Sequence, residues 1–127
     1  MKIRIDKADE TFSRYIRLRD KMCVRCYSRV EYNDKGLPIT HQASHYFGRG
    51  SENTRFDVHN VDTLCTGCHQ LWGSRDKEGY RSFKVKQLGE NGFKVLQVAS
   101  VTFKKKDRRM EFIRAKILLD DLLKSGY

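Results

Sequence analysis

Cys65-Thr66-Gly67-Cys68-His69 places two thiols and an imidazole on one short segment, and a second pair, Cys23 and Cys26, lies upstream. Each Cys-x-x-Cys segment can supply two sulfurs to a tetrahedral ion, so the four cysteines predict a zinc site. A site closed by four thiolates leaves no open position for water. We therefore expect a structural zinc that braces the chain between the two pairs.

Three other interpretations of the cysteines are open. Two redox-active disulfides would need a thioredoxin-like pattern, which we do not find. Unrelated free cysteines would not explain the paired spacing. Attachment of a c-type haem fits Cys65, Cys68 and His69, but it usually needs export and leaves Cys23 and Cys26 unexplained.

The composition suits one modest domain with a polyanionic partner. The chain has 127 residues, a hydrophobic fraction of 39% and a formal net charge of +10. The basic residues concentrate in the flanks, whereas the centre is near neutral. We expect DNA to be the partner and no membrane association, since no apolar run approaches the roughly 20 residues of a membrane span. Without a signal peptide, we expect a cytoplasmic protein.

Hydrophobic periodicity and turn residues divide the chain into three parts. We predict a single domain over 1–127, with an N-terminal helix in 1–22, a zinc-braced core in 23–75 and a helical C-terminal extension in 76–127. The predicted elements follow in chain order. They are a helix at 8–21, a turn at 33–36, strands at about 37–47 and 55–58, and helices at 61–73, 79–88, 93–101 and 107–124.

Two of these helices carry further expectations. In the helix at 61–73, Asp62 or Thr63 lies near the start and Gly73 at the end. In the helix at 107–124, an apolar stripe predicts a face in the core. The stripe consists of Met110, Ile113, Ile117, Leu118 and Leu122.

Three residues around the second cysteine pair carry a resemblance to a known family. The three residues are His45, Asn60 and His69. His45 ends the segment Ala43-Ser-His45, and Asn60 ends the segment Thr54-Arg-Phe-Asp-Val-His-Asn60. His69 directly follows Cys68. The segment 23–75 resembles the HNH, or ββα-metal, endonucleases in their zinc-stabilised branch. It is more loosely similar to phage recombination nucleases of the NinG type. The resemblance implies a small α+β fold with a ββα-metal core, a four-cysteine zinc site and flanking helices.

The resemblance also implies roles for these residues. His45 would be the general base that takes a proton from the water attacking a phosphodiester. His69 would bind a catalytic divalent ion, Mg²⁺ or another, that offsets charge on the phosphate and the leaving 3′ oxygen. Asn60 would bond across the loop and hold His45 in place.

One position departs from the family pattern. The residue before the base is usually Asp or His and binds the metal, but here it is Ser44. Ser44 would bind through water, or His41 would approach instead, because strand alternation places residues 41, 43 and 45 on one face. The third alternative is a metal held weakly until DNA phosphate completes its ligand shell. An inactive nuclease that has lost the second ligand is also open.

Basic residues near the predicted site suit contacts with phosphate. Arg49 and Arg55 lie in or beside the loop between His45 and Asn60, where a guanidinium could clamp the scissile phosphate. The alternative for these arginines is loop solvation or a salt bridge with Asp57. Arg75 follows the metal helix and has no firm role. Lys104-Lys-Lys-Asp-Arg-Arg109 is the densest basic run, suited to phosphate contacts or to a solvated helix start.

We therefore expect a metal-dependent HNH endonuclease that hydrolyses DNA. Its expected catalytic residues are His45, Asn60, His69 and Arg49, and its expected metal ligands are Cys23, Cys26, Cys65, Cys68, His69 and, alternatively, Ser44 or His41. The resemblance suggests a bacteriophage protein acting in the host cytoplasm, and a homodimer is left open. The alternative from another class is a non-catalytic zinc module that binds nucleic acid through its basic flanks.

Overall fold

The computed structural model describes residues 4–125, where the chain forms an α+β fold of four α-helices and one two-stranded sheet. The α+β expectation is confirmed. The elements are α1 (Lys7–Asp20), β1 (Gln42–His45), a 3₁₀ turn (Glu52–Thr54), β2 (Val61–Leu64), α2 (Thr66–Gln70), a π-helical turn (Leu71–Arg75), α3 (Lys77–Val101) and α4 (Arg108–Lys124). Residues 1–3 and 126–127, the ends of the two predicted flanks, lie outside the described residues.

Helix α1 begins with a capping box and lies where the sequence predicts it. The Asp6 side chain accepts a hydrogen bond from the Asp9 backbone N–H, and the Asp9 side chain accepts one from the Asp6 backbone N–H. Each carboxylate thereby satisfies an N–H that has no partner inside the helix. Lys21, in a left-handed conformation with φ of 65°, ends α1.

The antiparallel sheet pairs Gln42 with Leu64 at one end and His45 with Val61 at the other. The predicted helix at 61–73 is therefore wrong in its first turn, because residues 61–64 form β2. All four side chains of β2 are buried, and burial against β1 and α1 favours an extended segment with a β-branched residue at its start. The helix starts instead at Thr66, where the Cys65 thiol accepts a hydrogen bond from the Cys68 backbone N–H.

The other strand predictions need correction too. The predicted strand at 37–47 is reduced to β1, although the turn at 33–36 does bring Tyr32 and Pro38 into an isolated β-bridge. Residues 55–58 form turns and no strand. This region is instead folded by local bonds from Thr54 to Ser51 and from Asp57 to Thr54.

Helix α3 joins the two helices predicted at 79–88 and 93–101. Gly89 has a φ of 77° and a non-helical ψ, so α3 is kinked there instead of ending. A positive φ is accessible to glycine without a Cβ clash, which explains why the kink falls at this residue. The extension beyond residue 76 consists of α3 and α4, joined by residues 102–107, which form no helix.

Helix α4 occupies the predicted range, but it buries a different face. Glu111, Ala115 and Leu119 are buried, whereas Met110 is 54% and Ile117 55% exposed. The apolar stripe predicted for the core therefore faces solvent over much of its length. The small side chain of Ala115 suits the close packing of α4 against α1, which the sequence pattern did not reveal.

Two buried clusters hold the sheet between the helices. One joins α1, β1, β2 and α4 through residues such as Phe12, Ile16 and Val61, and the other surrounds the cysteines with Leu64 and Trp72. Trp72 is thus a core residue, as its position suggests. None of the helices in residues 4–125 has both the length and the apolarity to cross a lipid bilayer.

Candidate functional site

The end of β1 and the short helix α2 bring the two histidines of interest to one place. His45 and His69 both line a cavity of about 530 Å³, together with Gly48 and Arg49. They also line an adjoining cavity of about 380 Å³, whose wall includes Lys77. We call the region lined by His45, Gly48 and His69, which both cavities share, together with Arg49 of the larger cavity, the histidine cleft. The geometry thus gathers three of the four residues that the sequence analysis assigns to catalysis.

Asn60, the fourth of these residues, fastens the loop that leads from β1 to β2. Its side chain is fully buried and donates to the carbonyls of Phe47 (2.9 Å) and Thr54 (3.0 Å). Its Oδ1 accepts a hydrogen bond from the Phe47 N–H (2.9 Å). Asn60 therefore does bond across the loop, but it holds the backbone on either side of the cleft and makes no described hydrogen bond to His45.

His45 is held by the backbone in a single tautomer. Its Nε2 lies 2.9 Å from the carbonyl oxygen of Arg55, and a carbonyl can only accept, so Nε2 carries the hydrogen. Nδ1 is consequently unprotonated in the neutral ring. Nδ1 is buried and has no hydrogen-bond partner among the described residues. The described residues thus leave the lone pair of this ring nitrogen unused.

Burial also keeps the imidazole of His45 neutral. Desolvation lowers the pKa of His45 to about 4, and the positive charge of Arg49 acts in the same direction. Burial and Arg49 likewise lower the pKa of His69, which is half-buried on α2. Both rings are therefore neutral near pH 7, the state in which histidine can accept a proton or bind a metal.

Arg49 lines the histidine cleft, and its positive charge acts on both histidines. Its side chain is one-third exposed, and its Nε lies 4.0 Å from an Asp9 carboxylate oxygen. Nε is buried and makes no hydrogen bond with the described residues. Arg49 therefore keeps hydrogen-bonding capacity for an anion in the cleft.

Arg55, in contrast, is part of the protein interior. Its Nε and Nη2 donate to the two carboxylate oxygens of Asp9 at 2.8 and 2.6 Å, and Nη2 also donates to the Arg4 carbonyl. The side chain is only 4% exposed. The predicted phosphate clamp is therefore wrong for Arg55, and so is the alternative salt bridge with Asp57. This arginine ties the loop to the first turn of α1.

The two residues considered as a second metal ligand also line the two cavities, His41 the larger and Ser44 the smaller, but the side chains of both are hydrogen-bonded to other residues. Ser44 is 2% exposed, and the Tyr80 hydroxyl donates to its Oγ at 3.0 Å. His41 has a left-handed backbone with φ of 68° and precedes β1, so strand alternation does not include it. Its Nε2 lies 3.0 Å from Ser28 Oγ and its Nδ1 2.9 Å from Thr40 Oγ1. Neither ring nitrogen of His41 is free for a metal.

The four cysteines lie together at the other end of α2 and are positioned to hold a metal ion. Their sulfur atoms all lie within 4.8 Å of one another. Two of the thiols, Cys23 and Cys68, are buried, and Cys26 is exposed. Hydrogen bonds with Ser28 lower the pKa of Cys26 to about 6, whereas burial raises the pKa of Cys68 to about 12. Arg25 adds a cation, since its Nη1 lies 3.4 Å from the Cys68 sulfur.

Sequence reasoning did not identify the buried polar groups behind the cleft. Tyr80 on α3 supports Ser44, and Lys84 on the same helix reaches the Asp62 carboxylate of β2 at 2.8 Å. Both contacts join segments that are far apart in the chain, so no local sequence pattern predicts them. Asp9, which caps α1, also pairs with Arg55 on a distant segment.

Comparisons with protein-family models, with curated proteins and with solved structures found no match.

Proposed function

We propose that this protein is a metal-dependent endonuclease of the HNH type that hydrolyses DNA phosphodiester bonds. The observation that carries the proposal is the unprotonated, unpartnered Nδ1 of His45 beside His69 and Arg49 in one cleft. A buried neutral imidazole with a fixed tautomer is suited to general-base chemistry. The order of His45, Asn60 and His69 along β1, the loop and α2 supports the same assignment.

His45 is the proposed general base. Its Nδ1 accepts a proton from a water molecule while the water oxygen attacks the phosphorus atom. The bond from phosphorus to the 3′ oxygen breaks, which leaves a 5′ phosphate and, after protonation, a 3′ hydroxyl. The hydrogen bond from Nε2 to the Arg55 carbonyl stabilises the imidazolium that forms, because a carbonyl oxygen favours the charged donor.

His69 is the proposed ligand of the catalytic divalent ion. Its neutral ring lines the same cavities as His45. A divalent ion such as Mg²⁺, when bound there, supplies positive charge that offsets the charge developing on the phosphate and the leaving 3′ oxygen. Because Ser44 and His41 are engaged elsewhere, we favour the alternative in which substrate phosphate and water complete the ligand shell.

Arg49 is the proposed phosphate contact. Its guanidinium lies at the edge of the cleft with one buried nitrogen unpaired, and its ion pair with Asp9 is long, at 4.0 Å. A phosphate oxygen would accept the hydrogen bond that the Arg49 Nε lacks. This hydrogen bond would strengthen as negative charge develops on the phosphate during the reaction.

The four cysteines are proposed to bind a structural zinc. Four sulfur donors in a closed cluster suit Zn²⁺ and leave no ligand position for water. The ion would tie the knuckle at Cys23 to the start of α2, and so fix the helix that carries His69. Elemental analysis of the purified protein should find about one zinc per chain, and a protein that folds without any metal would reject this assignment.

A second candidate function is a non-catalytic zinc module that binds nucleic acid. It is favoured by one observation, the engagement of Ser44 and His41 in hydrogen bonds away from metal binding. This candidate function does not explain the unpartnered Nδ1 of His45.

Plasmid nicking separates the two functions. We expect conversion of supercoiled plasmid to nicked or linear DNA with Mg²⁺ or Mn²⁺ and none with chelator. His69→Ala should raise the metal concentration needed for half-maximal rate by at least about tenfold, because an imidazole ligand is lost. His59→Ala is the matched control, since His59 is exposed and lies outside the cleft. DNA binding without cleavage at any metal concentration would instead favour the second candidate.

A further inference from the structure

The segment between α3 and α4 exposes an aromatic ring among lysines. Phe103 is 88% exposed, in residues 102–107, which form no helix or strand. Lys104 and Lys105 follow it and are exposed, and Lys106 is partly buried. No ring or cation within residues 4–125 packs on the face of Phe103. We call residues 102–107 the connecting segment.

The connecting segment is fixed at both ends to the loop that forms the histidine cleft. Before it, the Ser100 and Ala99 carbonyls accept hydrogen bonds from the Ser51 hydroxyl (2.7 Å) and from Asn53 Nδ2 (3.1 Å). After it, Arg108 pairs with Glu52 at 3.4 Å. Phe103 is therefore exposed on a segment that is anchored on both sides.

The lysines of the connecting segment have no acidic partner in the described part of the chain. The neighbouring carboxylate, Asp107, is used to cap α4, where it accepts hydrogen bonds from the backbone of Arg109 and Met110. The segment therefore offers uncompensated positive charge beside a free aromatic face.

This surface begins close to the histidine cleft. Arg49 of the cleft lies near Asp9, and Arg108 at the start of α4 pairs with Asp6 at 3.6 Å. Asp6 and Asp9 are one turn of α1 apart, a rise of about 5 Å. One nucleic-acid strand could thus contact both the cleft and the connecting segment.

We propose that the connecting segment binds unpaired nucleotides of the DNA substrate, with a base stacked on Phe103 and the backbone phosphates on Lys104 and Lys105. This inference rests on the proposed function for the identity of the substrate. A phenyl ring has no hydrogen-bonding group, so it would accept any base by its flat face. Bases of an intact duplex are stacked on one another, and only an unpaired base has a face to offer. The preferred substrate is therefore DNA with a single-stranded portion next to the cleavage site.

Binding can be measured apart from cleavage by using the full-length, zinc-loaded His45→Ala variant. Fluorescence anisotropy would compare a blunt duplex of about 20 base pairs with the same duplex carrying a single-stranded tail of about 10 nucleotides. We expect tighter binding of the tailed DNA. Adding Phe103→Ala should weaken binding of the tailed DNA roughly tenfold and leave binding of the blunt duplex unchanged, because one stacked base is lost.

Two further variants test the ring itself. Val101→Ala removes a neighbouring side chain that is also exposed (83%), and it should bind both DNAs as before. Phe103→Trp retains a stacking face and should retain the preference for the tail. Replacing Lys104 and Lys105 by alanine should weaken the binding of both DNAs. The slope of log affinity against log salt concentration should fall by the equivalent of about one to two phosphate contacts.

Cleavage by the protein with His45 intact is measured in parallel, so the two proposals can fail separately. A tail preference that depends on Phe103 supports the inference even if no cleavage occurs, and then only catalysis is rejected. Equal binding of both DNAs, or an equal loss on both in Phe103→Ala, would overturn the inference. So would a Phe103-dependent dimer with unchanged DNA binding, measured by light scattering, because the ring would then serve a second copy of the chain.

Discussion

His45 combines a buried ring with a fixed tautomer, and both properties can be measured at the level of the residue. Burial lowers its pKa to about 4, and the Arg55 carbonyl requires the hydrogen on Nε2. In an NMR titration we expect the His45 ring to stay neutral down to about pH 5, with Nε2 protonated. A hydrogen on Nδ1 would contradict the role of Nδ1 as the base, and an ordinary pKa near 6.5 would show that burial does not desolvate the ring.

The same low pKa links His45 to stability. The unfolded chain binds the proton with a pKa near 6.5, so between about pH 6.5 and 4 it holds more protons than the folded chain. The contribution of His45 to stability is therefore fully present above about pH 6.5 and is lost as the pH falls towards 4.

Asn60 is expected to be essential for the fold of the loop. Asn60→Ala would leave the Phe47 N–H and two carbonyls without their partner in the interior, so we expect a loss of about 2–4 kcal/mol in the free energy of unfolding. Urea denaturation would measure it. Asn91→Ala, at an exposed position in α3, is the control and should change stability by less than about 0.5 kcal/mol. A similarly small loss for Asn60→Ala would show that the loop does not depend on this side chain.

At the same scale, the resemblance to the HNH endonucleases selected the residues of the cleft but not their partners. His45, Arg49 and His69 line one cavity because β1 pairs with β2 and α2 follows directly after β2. The assignments of Arg55, Ser44 and His41 could not be settled from sequence, because each depends on a distant side chain or on a backbone angle. Asp9, Tyr80 and Ser28 are those distant partners.

At the level of elements, a buried ion pair joins α3 to β2. Lys84 is fully buried and donates to Asp62, to Gln87 and to the His59 carbonyl. Lys84→Ala leaves the buried Asp62 carboxylate without its main partner, so we expect a loss of about 3 kcal/mol or more in unfolding free energy.

Lys86→Ala is the matched control for this prediction. Lys86 lies on the exposed side of α3, two residues from Lys84, and its replacement should be nearly neutral. Equal effects of the two substitutions in urea denaturation would contradict a stabilising role for the buried pair.

The elements show where periodicity suffices and where it does not. Helix α1 and the extent of α4 follow from local capping and periodicity, and these were predicted. Asp62 and Thr63 are residue types that often begin helices, so the sequence predicts a helix from residue 61. The extended form of residues 61–64 comes from pairing with β1, a contact that residue periodicity cannot express. The buried face of α4 was missed for the same reason, since it is selected by packing against α1.

At the scale of the whole molecule, two separate braces position the cleft. The four cysteines are positioned to hold a metal ion that would fix α2 from one side, and the first turn of α1 holds Arg49 and Arg55 from the other. The net charge of +10 and the basic connecting segment suit the proposed DNA substrate. This arrangement accounts for a small chain that keeps two neutral histidines in a partly buried cleft.

The proposed catalysis is tested most directly by the single-turnover rate of plasmid nicking for the original chain, His45→Ala and His59→Ala, each loaded with zinc and supplied with Mg²⁺ or Mn²⁺. We predict that His45→Ala lowers the rate by at least about a hundredfold, because the general base is lost, with fold and DNA binding unchanged, while His59→Ala retains the rate. Full activity in His45→Ala would contradict the assignment of the base.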